Sequence, residues 1–429
     1  MRRIKRFLSQ RFPSLRRWYG TFRYHAYPYL VQWRISRGLR RLRGKDTIKV
    51  AFLVVLDSVF QFRKLFELMS GEDGFSTAIV VIPQTNREKS FCDKQYQTTL
   101  QNLKKEYADK VIGVVHNGEC QSLIGDYDIC ITANSYDGLT HKYYGIEYLS
   151  ANGVPTICAN YGFDGGTVYA QTYFKMRNLA FLWRYYAGTN WMRDGLVNSL
   201  KVLKFFSRVV IAGIPKMDYL PCIKKNVRER KRILICPHHS IDEIKFANLI
   251  NLSNFTRYYD LILKLPERYP QIDWIFRPHP FLMETMIDCA GWTKEQADDY
   301  IAKFCSFANA EYKPNGDCFD MFVNSDAMIQ DCSSFLAEYH LTGHPQCYVL
   351  KSVDHIPTQF DWWGQELLGH TYKAYSEQDI IDFIDNVVIA GNDPMKEERM
   401  KFAKEKLMFN YPHASEAILA DIKKALGRE

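Results

Sequence analysis

The chain has 429 residues, of which 47% are hydrophobic and 14% aromatic, so it is long enough for two domains with separate cores and is not a disordered protein. Its eleven cysteines are scattered without a Cys-x-x-Cys pair, which argues against a disulfide framework or a zinc site and favours a reducing cytoplasm. The formal charge of +8 comes from the first 45 residues, which hold fourteen Lys or Arg and no acid, whereas the remaining chain has 42 basic and 48 acidic residues.

Residues 1–45 form a basic segment whose apolar residues recur at helical spacing, as in Leu15, Trp18, Tyr19 and Phe22. Basic helices rich in aromatic residues suit the interface between anionic headgroups and acyl chains, so we predict an arm that associates with an anionic membrane surface. The alternatives are a helical subdomain packed on the body of the protein, or a nucleic-acid arm; we predict no nucleic-acid partner. The chain has no stretch of 18 apolar residues and no signal-peptide core. We therefore expect a cytoplasmic protein, peripheral on the inner face of the cell membrane.

Strands and helices alternate through the rest of the chain, which predicts an α/β protein of two Rossmann-like domains with parallel sheets. The predicted strands of the first domain are 48–56, 76–82, 111–115, 127–132, 155–159 and 208–212. The predicted helices between them are 59–69, 95–107, 141–151 and 170–186. We place the first domain at 46–220, a charged linker at 221–232, the second domain at 233–390 and a charged helical segment at 391–429.

Two polar blocks follow apolar runs in the second domain. Arg277-Pro278-His279-Pro280 follows the run 273–276, and Asp331-Cys332-Ser333-Ser334 follows 326–330 and precedes a predicted helix over 335–341. Ligands of open α/β sheets bind outside the carboxyl ends of the strands. A strand, two serines and a helix form an anion site, although Ser333 or Ser334 as a plain helix N-cap is the alternative. Together, the blocks predict a phosphorylated substrate.

These blocks, with Gly343-His344-Pro345 and Gly213-Ile214-Pro215-Lys216, resemble motifs of the CDP-glycerol glycerophosphotransferases over about residues 208–350. This bacterial family makes teichoic acid and related surface polymers and has a GT-B fold, in which two Rossmann-like domains face a cleft. The resemblance implies that His279, Ser333 and Ser334 line the pocket of the nucleotide-linked donor. The complete predicted donor-binding set is Arg277, His279, Asp331, Ser333, Ser334, Pro215 and Lys216.

The chain departs from the family at two places. Strand 233–236 leads into Pro237-His238-His239-Ser240, where the family has a Thr-x-Arg element. We predict that His238 or His239 replaces that arginine; the alternative is a buried loop histidine bonded to backbone. Ser240 also opens a capping box, which predicts a helix immediately after it. No further histidine or carboxylate at ligand spacing accompanies the pair, so we predict no metal.

The second departure concerns the catalytic base of the first domain, which the family carries in a His-Gly motif. The comparable place here reads Gly162-Phe163-Asp164-Gly165-Gly166. We predict Asp164 as the base for the acceptor's hydroxyl, with a plain tight turn as the equal alternative. The lone Gly-Gly pair is no dinucleotide fingerprint, so we predict neither NAD nor another cofactor.

We therefore predict a transferase that moves glycerophosphate, or a similar polyol phosphate, from a CDP-linked donor to a hydroxyl of a cell-surface glycan or its lipid-linked precursor. Its predicted catalytic residues are Asp164, His238, His239 and His279. One alternative is a GT-B glycosyltransferase that uses a nucleotide sugar for capsule or lipopolysaccharide synthesis, since the same fold and anion site serve both. The other is a non-catalytic binding protein recruited to the membrane, whose active site has decayed.

Overall fold

The computed structural model describes residues 22, 26–159, 162, 165–241, 250–314 and 318–428, which form two compact units. The first unit comprises the described residues up to 159, residues 174–218 and residues 413–428. The second comprises residue 162, residues 165–173 and the described residues of 219–412. Each unit is built around one parallel sheet, and the predicted pair of Rossmann-like domains is confirmed.

The sheet of the first unit has seven parallel strands in the order β3-β2-β1-β6-β7-β8-β9. They are β1 (Ile48–Val54), β2 (Phe75–Val81), β3 (Val111–Gly113), β6 (Ile129–Thr132), β7 (Thr156–Ala159), β8 (Arg184–Ala187) and β9 (Val209–Ile211), and β4 (Val115–His116) pairs only with β5 (Glu119–Cys120). The central strands read as continuous apolar runs because helices cover both faces of a parallel sheet.

The second unit has six parallel strands in the order β12-β11-β10-β13-β14-β15. They are β10 (Lys231–Cys236), β11 (Ile272–Phe276), β12 (Ala310–Tyr312), β13 (Ala327–Gln330), β14 (Gln346–Val349) and β15 (Tyr372–Ala374). In chain order this is the 3-2-1-4-5-6 arrangement of the Rossmann fold, so the strand order reverses between β10 and β13. Ile235 of β10 pairs with Phe276 on one side and with Ile329 on the other, so the three strands end at one edge.

The described residues also form seventeen α-helices. They are α1 (Tyr27–Leu42), α2 (Arg63–Ser70), α3 (Lys89–Tyr107), α4 (Ile146–Ala151), α5 (Thr167–Thr172), α6 (Asn190–Ser199), α7 (Lys201–Phe205), α8 (Phe255–Arg268), α9 (Leu282–Cys289), α10 (Lys294–Cys305), α11 (Cys318–Val323), α12 (Ser333–Glu338), α13 (Ile356–Gln359), α14 (Trp362–Gly369), α15 (Glu377–Asp382), α16 (Lys396–Lys406) and α17 (Ala414–Ala425). No helix among them is long and apolar enough to cross a membrane.

The core of the second unit lies on both faces of its sheet. Ile233 and Ile235 of β10 pack in one apolar cluster, whereas Leu234 and Cys236 pack in another. Successive side chains of a strand point to opposite faces, so this division follows from the strand geometry. Because apolar side chains cover both faces of the sheet, polar groups can meet a ligand only at the ends of the strands.

The helix predicted over 170–186 is wrong after its third residue. Helix α5 ends at Thr172, and β8 occupies Arg184–Ala187. Tyr185 and Tyr186 of β8 are fully buried, because this strand lies inside the sheet with neighbours on both sides. A strand buried on both faces shows no polar alternation, and a short apolar run of this kind is easily read as a buried helix.

The predicted basic arm falls only partly within the described residues; residues 1–21 and 23–25 lie outside them. The described part, α1, packs on the first unit through Pro28, Val31, Gln32, Ile35 and Leu39. At the other end of the chain, the predicted charged helical segment consists of two helices. The second of these, α17, belongs to the first unit, where the carboxylate of Asp218 accepts hydrogen bonds from the N–H groups of Ala414 at 3.0 Å and Ser415 at 2.7 Å.

Candidate functional site

Three polar loops meet at the carboxyl edge of the second sheet. His238 and His239 follow β10, the block from Arg277 to Pro280 follows β11, and the block from Asp331 to Ser334 follows β13. Because β10 lies between β11 and β13, all three loops emerge side by side. They flank the point where the strand order reverses, which is the usual ligand position in such sheets.

Three histidine rings form a cluster at this edge. The ring centroids of His239 and His279 are 4.0 Å apart and nearly stacked, and those of His238 and His239 are 4.4 Å apart. Phe281 closes one side, with its ring 5.4 Å from that of His279. The expectation that no further histidine accompanies the pair is therefore wrong. His279 joins it because two neighbouring strands carry the residues to the same edge.

Backbone donors determine which nitrogen of two of these rings carries the proton. The N–H of Phe281 donates to Nδ1 of His279 at 3.2 Å, and the N–H of Ser240 donates to Nδ1 of His238 at 3.2 Å. The hydroxyl of Ser240 accepts from the N–H of Leu252 and lies 2.8 Å from the same Nδ1, so it can donate there too. An Nδ1 that accepts an N–H is unprotonated, and the neutral imidazole then carries its proton on Nε2. Each of these two rings therefore presents an Nε2–H donor.

The cluster is better suited to an anion than to a metal ion. The three histidines have ligand atoms within 4.8 Å of one another, which is close enough to suggest a metal site. A metal would need the lone pair of Nε2, however, and the proton would have to move to Nδ1. That move would break the hydrogen bonds from Ser240 and Phe281. Two Nε2–H donors in one cluster instead match the oxygens of a phosphate.

Burial keeps His238 and His279 neutral. Burial, followed by the neighbouring His239 and His279 rings, lowers the pKa of His238 well below its usual value. Burial, then His239 and Arg277, lowers the pKa of His279 to about 3. Repulsion between neighbouring positive charges contributes to both shifts: His239 and His279 act on His238, and His239 and Arg277 act on His279. At neutral pH the Nε2–H groups of His238 and His279 are therefore uncharged donors.

Asp331 joins two of the loops. Its carboxylate accepts hydrogen bonds from the N–H of His238 at 2.5 Å and from the N–H of Asn254 at 2.7 Å, and only 2% of the residue is exposed. Burial raises its pKa to about 7, although these amides partly oppose the shift. This placement suits a residue that positions the histidine loop. Its predicted contact with the donor stays a prediction.

Arg277 is also buried. One of its terminal nitrogens donates to the carbonyl oxygen of Pro314, and the other lies 3.7 Å from the Cys318 sulfur. The residue is 8% exposed. Both terminal nitrogens of the predicted bidentate fork toward the donor therefore have partners among the described residues. The guanidinium acts on the cluster electrostatically, since it lowers the pKa of His279.

Ser333 and Ser334 begin α12, and the N-cap residue is Cys332, whose side chain makes no capping bond. The alternative, in which Ser333 or Ser334 is only the N-cap of this helix, is therefore wrong. Both serines are partly exposed, and neither hydroxyl has a hydrogen-bond partner among the described residues. Cys332 is held in place by its N–H, which donates to Oε1 of Gln330 at 2.7 Å. The two hydroxyls are thus free to face a ligand at the edge that the histidines share.

The other predicted site residues lie elsewhere or outside the described residues. Asp164 lies outside them, as do residues 242–249, where the capping box predicts a helix. Pro215 and Lys216 belong to the first unit, in the 3-10 turn Pro215–Cys222. Next to Asp164, Gly165 belongs to the second unit and approaches α14. A Cβ on Gly165 would lie 2.5 Å from the Cα of Gly364, so both positions require glycine.

Sequence reasoning missed Asn254, which precedes α8. Its side-chain nitrogen donates to the carbonyl oxygens of Leu252 at 3.0 Å and Val349 at 3.1 Å, while its N–H binds Asp331. It therefore connects the ends of β13 and β14 to the histidine loop. No local pattern identifies it, because each partner is distant in sequence or a backbone group.

No protein-family model matches the chain, and no curated protein sequence matches it. Solved structures do match its fold. The chain has a GT-B fold. UDP-GlcNAc 2-epimerase from Neisseria meningitidis, solved bound to UDP-GlcNAc, is 12% identical with a TM-score of 0.56, over 88% of this chain and 100% of that one. The wall teichoic acid polymerase TagF is 13% identical with a TM-score of 0.55, over 88% of this chain and 89% of that one.

Proposed function

We propose that this chain is a transferase that moves glycerophosphate, or a similar polyol phosphate, from a CDP-linked donor to a hydroxyl of a surface glycan or its lipid-linked precursor. The observation that carries the proposal is the pair of Nε2–H donors of His238 and His279 at the point where the strand order reverses. Ser333 and Ser334 add hydroxyls at the same edge, and a CDP-linked donor presents a diphosphate to such groups. The resemblance of these blocks to the glycerophosphotransferase motifs supports this donor, as does a teichoic acid polymerase among the similar structures.

The proposed reaction is an in-line displacement at phosphorus. The acceptor's hydroxyl oxygen forms a bond to the phosphorus that carries the glycerol, and the bond from that phosphorus to the bridging oxygen breaks. CMP leaves with the bridging oxygen and its additional negative charge, while the hydroxyl proton passes to a base. Donors already aimed at the leaving group stabilise that charge without reorganisation, which is the main source of rate in such sites. His238, His279 and the two serines would supply these donors.

Asp164 remains the proposed base. A carboxylate in a glycine-rich segment can approach a substrate hydroxyl closely, and general-base catalysis needs that proximity first. His239 is stacked on His279 and would orient that ring rather than accept the proton. We expect Asp164→Asn to abolish transfer while donor binding survives, because the change removes the carboxylate and keeps the side chain's shape.

The test is a donor panel. Purified full-length protein would be incubated with CDP-linked and UDP-linked donors and a glycan acceptor, and released CMP, CDP, UMP and UDP would be measured. We expect CMP from a CDP-linked polyol phosphate. UDP release from a nucleotide sugar would instead support the glycosyltransferase, and tight nucleotide binding with no product from any donor would support the non-catalytic binding protein.

Variants of the cluster locate the activity. His279→Ala and Ser334→Ala should each lower turnover by roughly 10²-fold or more, the usual cost of one such electrostatic group. His116→Ala is the matched control, because His116 is exposed on the small hairpin of the first unit. Folded cluster variants with turnover and donor affinity equal to the control would exclude this site.

A further inference from the structure

Helix α1 has two different faces. One face, with Val31, Gln32, Ile35 and Leu39, is buried on the first unit. The opposite face carries Leu30, which is 46% exposed, and Trp33, which is 52% exposed. Four exposed arginines share that outward face at helical spacing: Arg34, Arg37, Arg40 and Arg41. No acidic residue occurs in the helix.

Polar contacts fix the rotation of α1 about its axis. The side-chain nitrogen of Gln32 donates to the carbonyl oxygens of Ala180 at 3.1 Å and Leu182 at 2.6 Å. Arg208 donates in turn to Oε1 of Gln32 at 3.1 Å and to the hydroxyl of Ser36 at 2.6 Å. These buried bonds would be costly to break, so α1 cannot turn its outward face inward. The exposed apolar residues are therefore a fixed feature of the surface.

A second element extends this surface. Phe205 ends α7 and is 73% exposed, although it is a large apolar residue. Its ring packs edge to face against Tyr29 of α1 at 5.7 Å, and Tyr29 is one helical turn before Trp33. The guanidinium of Arg37 lies 4.8 Å from the centre of the Trp33 ring. Leu30, Trp33 and Phe205, with the four arginines, form what we call the basic-aromatic face.

We propose that the basic-aromatic face is the surface by which this chain lies on an anionic lipid bilayer. Aromatic and leucine side chains suit the boundary between headgroups and acyl chains, and arginines around them attract anionic headgroups. The residues before α1 add further basic residues and no acid. The predicted membrane arm and its packed alternative are thus compatible, because α1 packs with one face and presents the other.

Charge and shape disfavour two other partners for the basic-aromatic face, a second copy of the chain and a single-stranded nucleic acid. A second copy of the chain would bring two sets of four arginines together, which like-charge repulsion opposes. Single-stranded nucleic acid would stack its bases on Trp33 and Phe205 but would leave the apolar side chain of Leu30 without a partner. A bilayer accepts the aliphatic, aromatic and cationic side chains together. The proposal does not depend on the donor or on the catalytic residues.

Vesicle binding by the full-length protein tests the proposal. Co-sedimentation would be measured with phosphatidylcholine vesicles, with and without phosphatidylglycerol, at low and high salt. We expect binding only to the anionic vesicles, with a partition coefficient that falls as salt screens the arginines. Equal binding to neutral and anionic vesicles would overturn the proposal, and so would no binding to either.

Two double variants separate the contributions. Trp33→Ser with Phe205→Ser should lower the partition coefficient roughly tenfold or more, because both inserted rings are lost. Arg34→Gln with Arg37→Gln should lower it by roughly 25-fold at low salt, since each basic residue near an anionic surface contributes about fivefold. All four side chains are exposed, so the variants should keep the fold, as circular dichroism would check.

Matched controls come from the second unit. Trp362→Ser with Val353→Ser changes residues that are 63% and 65% exposed, and Lys401→Gln with Lys404→Gln removes two exposed charges from α16. These variants should bind vesicles like the wild type. The proposal fails if controls and face variants lose binding alike. It also fails if the face variants lose only self-association in sizing experiments, or only binding to a single-stranded oligonucleotide.

Discussion

Asp331 holds the histidine loop through backbone amides rather than through side chains. Its two carboxylate oxygens each accept one N–H, from His238 and from Asn254, and neither bond depends on the identity of those side chains. Such a residue acts on the ligand by fixing where the imidazoles point. Loss of one of its bonds should therefore change donor binding before it changes the chemical step.

Asp331→Asn tests this role, because the amide keeps the shape but turns an N–H₂ group toward a backbone donor. One hydrogen bond is lost and one buried donor is left unsatisfied, so the free energy of unfolding should fall by about 1–3 kcal/mol. The KM for the donor should rise more than kcat falls. Steady-state kinetics with thermal melts would measure both effects, and an unchanged KM with a much lower kcat would make Asp331 a catalytic group instead.

The same variant carries a pH signature. The pKa of Asp331 is raised to about 7, so between about pH 4 and pH 7 the folded protein keeps a proton that the unfolded chain has lost. This contribution to stability is present at low pH and declines as pH rises through that interval. The wild type should therefore exceed Asp331→Asn in stability by more at pH 5 than at pH 8. If the difference in stability between the wild type and Asp331→Asn is the same at pH 5 and at pH 8, the carboxyl group is ionised at both pH values.

At the scale of elements, the segment that adjoins Asp164 is held by a close backbone contact with α14. The N–H of Asp361 donates to the carbonyl oxygen of Gly165 at 3.2 Å, and a Cβ on Gly364 would lie 2.2 Å from that oxygen. The Asp361 side chain also caps α14 by accepting from the N–H of Trp363 and Gly364. The beginning of α14 and the segment 165–172 therefore form one packed unit.

Gly364→Ala should disrupt that contact. Backbone cannot move aside as a flexible side chain can, so we expect a loss of roughly 1–3 kcal/mol in the free energy of unfolding. Gly369→Ala is the control on the same helix, since its Cβ would meet nothing within 4 Å. Because alanine is the better helix former, that change should be neutral or slightly stabilising. Equal melting temperatures for both variants would show that the contact is not close in solution.

At the scale of the whole molecule, each unit has its own sheet and its own core. The proposed donor groups His238, His279, Ser333 and Ser334 all belong to the second unit, whereas the basic-aromatic face belongs to the first. Membrane attachment and donor binding should therefore be separable by mutation.

Hydrogen exchange with CDP or UDP would locate the nucleotide. We expect slower exchange in the loops that follow β10, β11 and β13, with the sheet of the first unit unchanged. His279→Ala should reduce this protection. Protection confined to the first unit would instead move the nucleotide site away from the histidine cluster, whatever the activity of the protein.

The sequence alone determined the fold class and the position of the candidate site. Apolar runs that alternate with amphipathic helices predict parallel sheets, and these patterns are local, so strands such as β1 and β10 could be predicted from them. The polar blocks around His279 and Ser333 were predicted for the same reason, since each directly follows its strand. The helix predicted over 170–186 failed because β8 is buried on both faces and has no alternating pattern.

Only the tertiary structure decided how these groups act together. The order of the strands brings His279 to the His238–His239 pair, and backbone N–H groups of Ser240 and Phe281 set the tautomers that favour an anion over a metal. The tertiary structure also places the carboxylate of Asp331 against two backbone amides. It sets the rotation of α1 about its axis through the hydrogen bonds of Gln32 and Arg208. These outcomes depend on hydrogen bonds between groups far apart in the chain, and such partners are chosen by strand order and packing, which no local pattern of residues encodes.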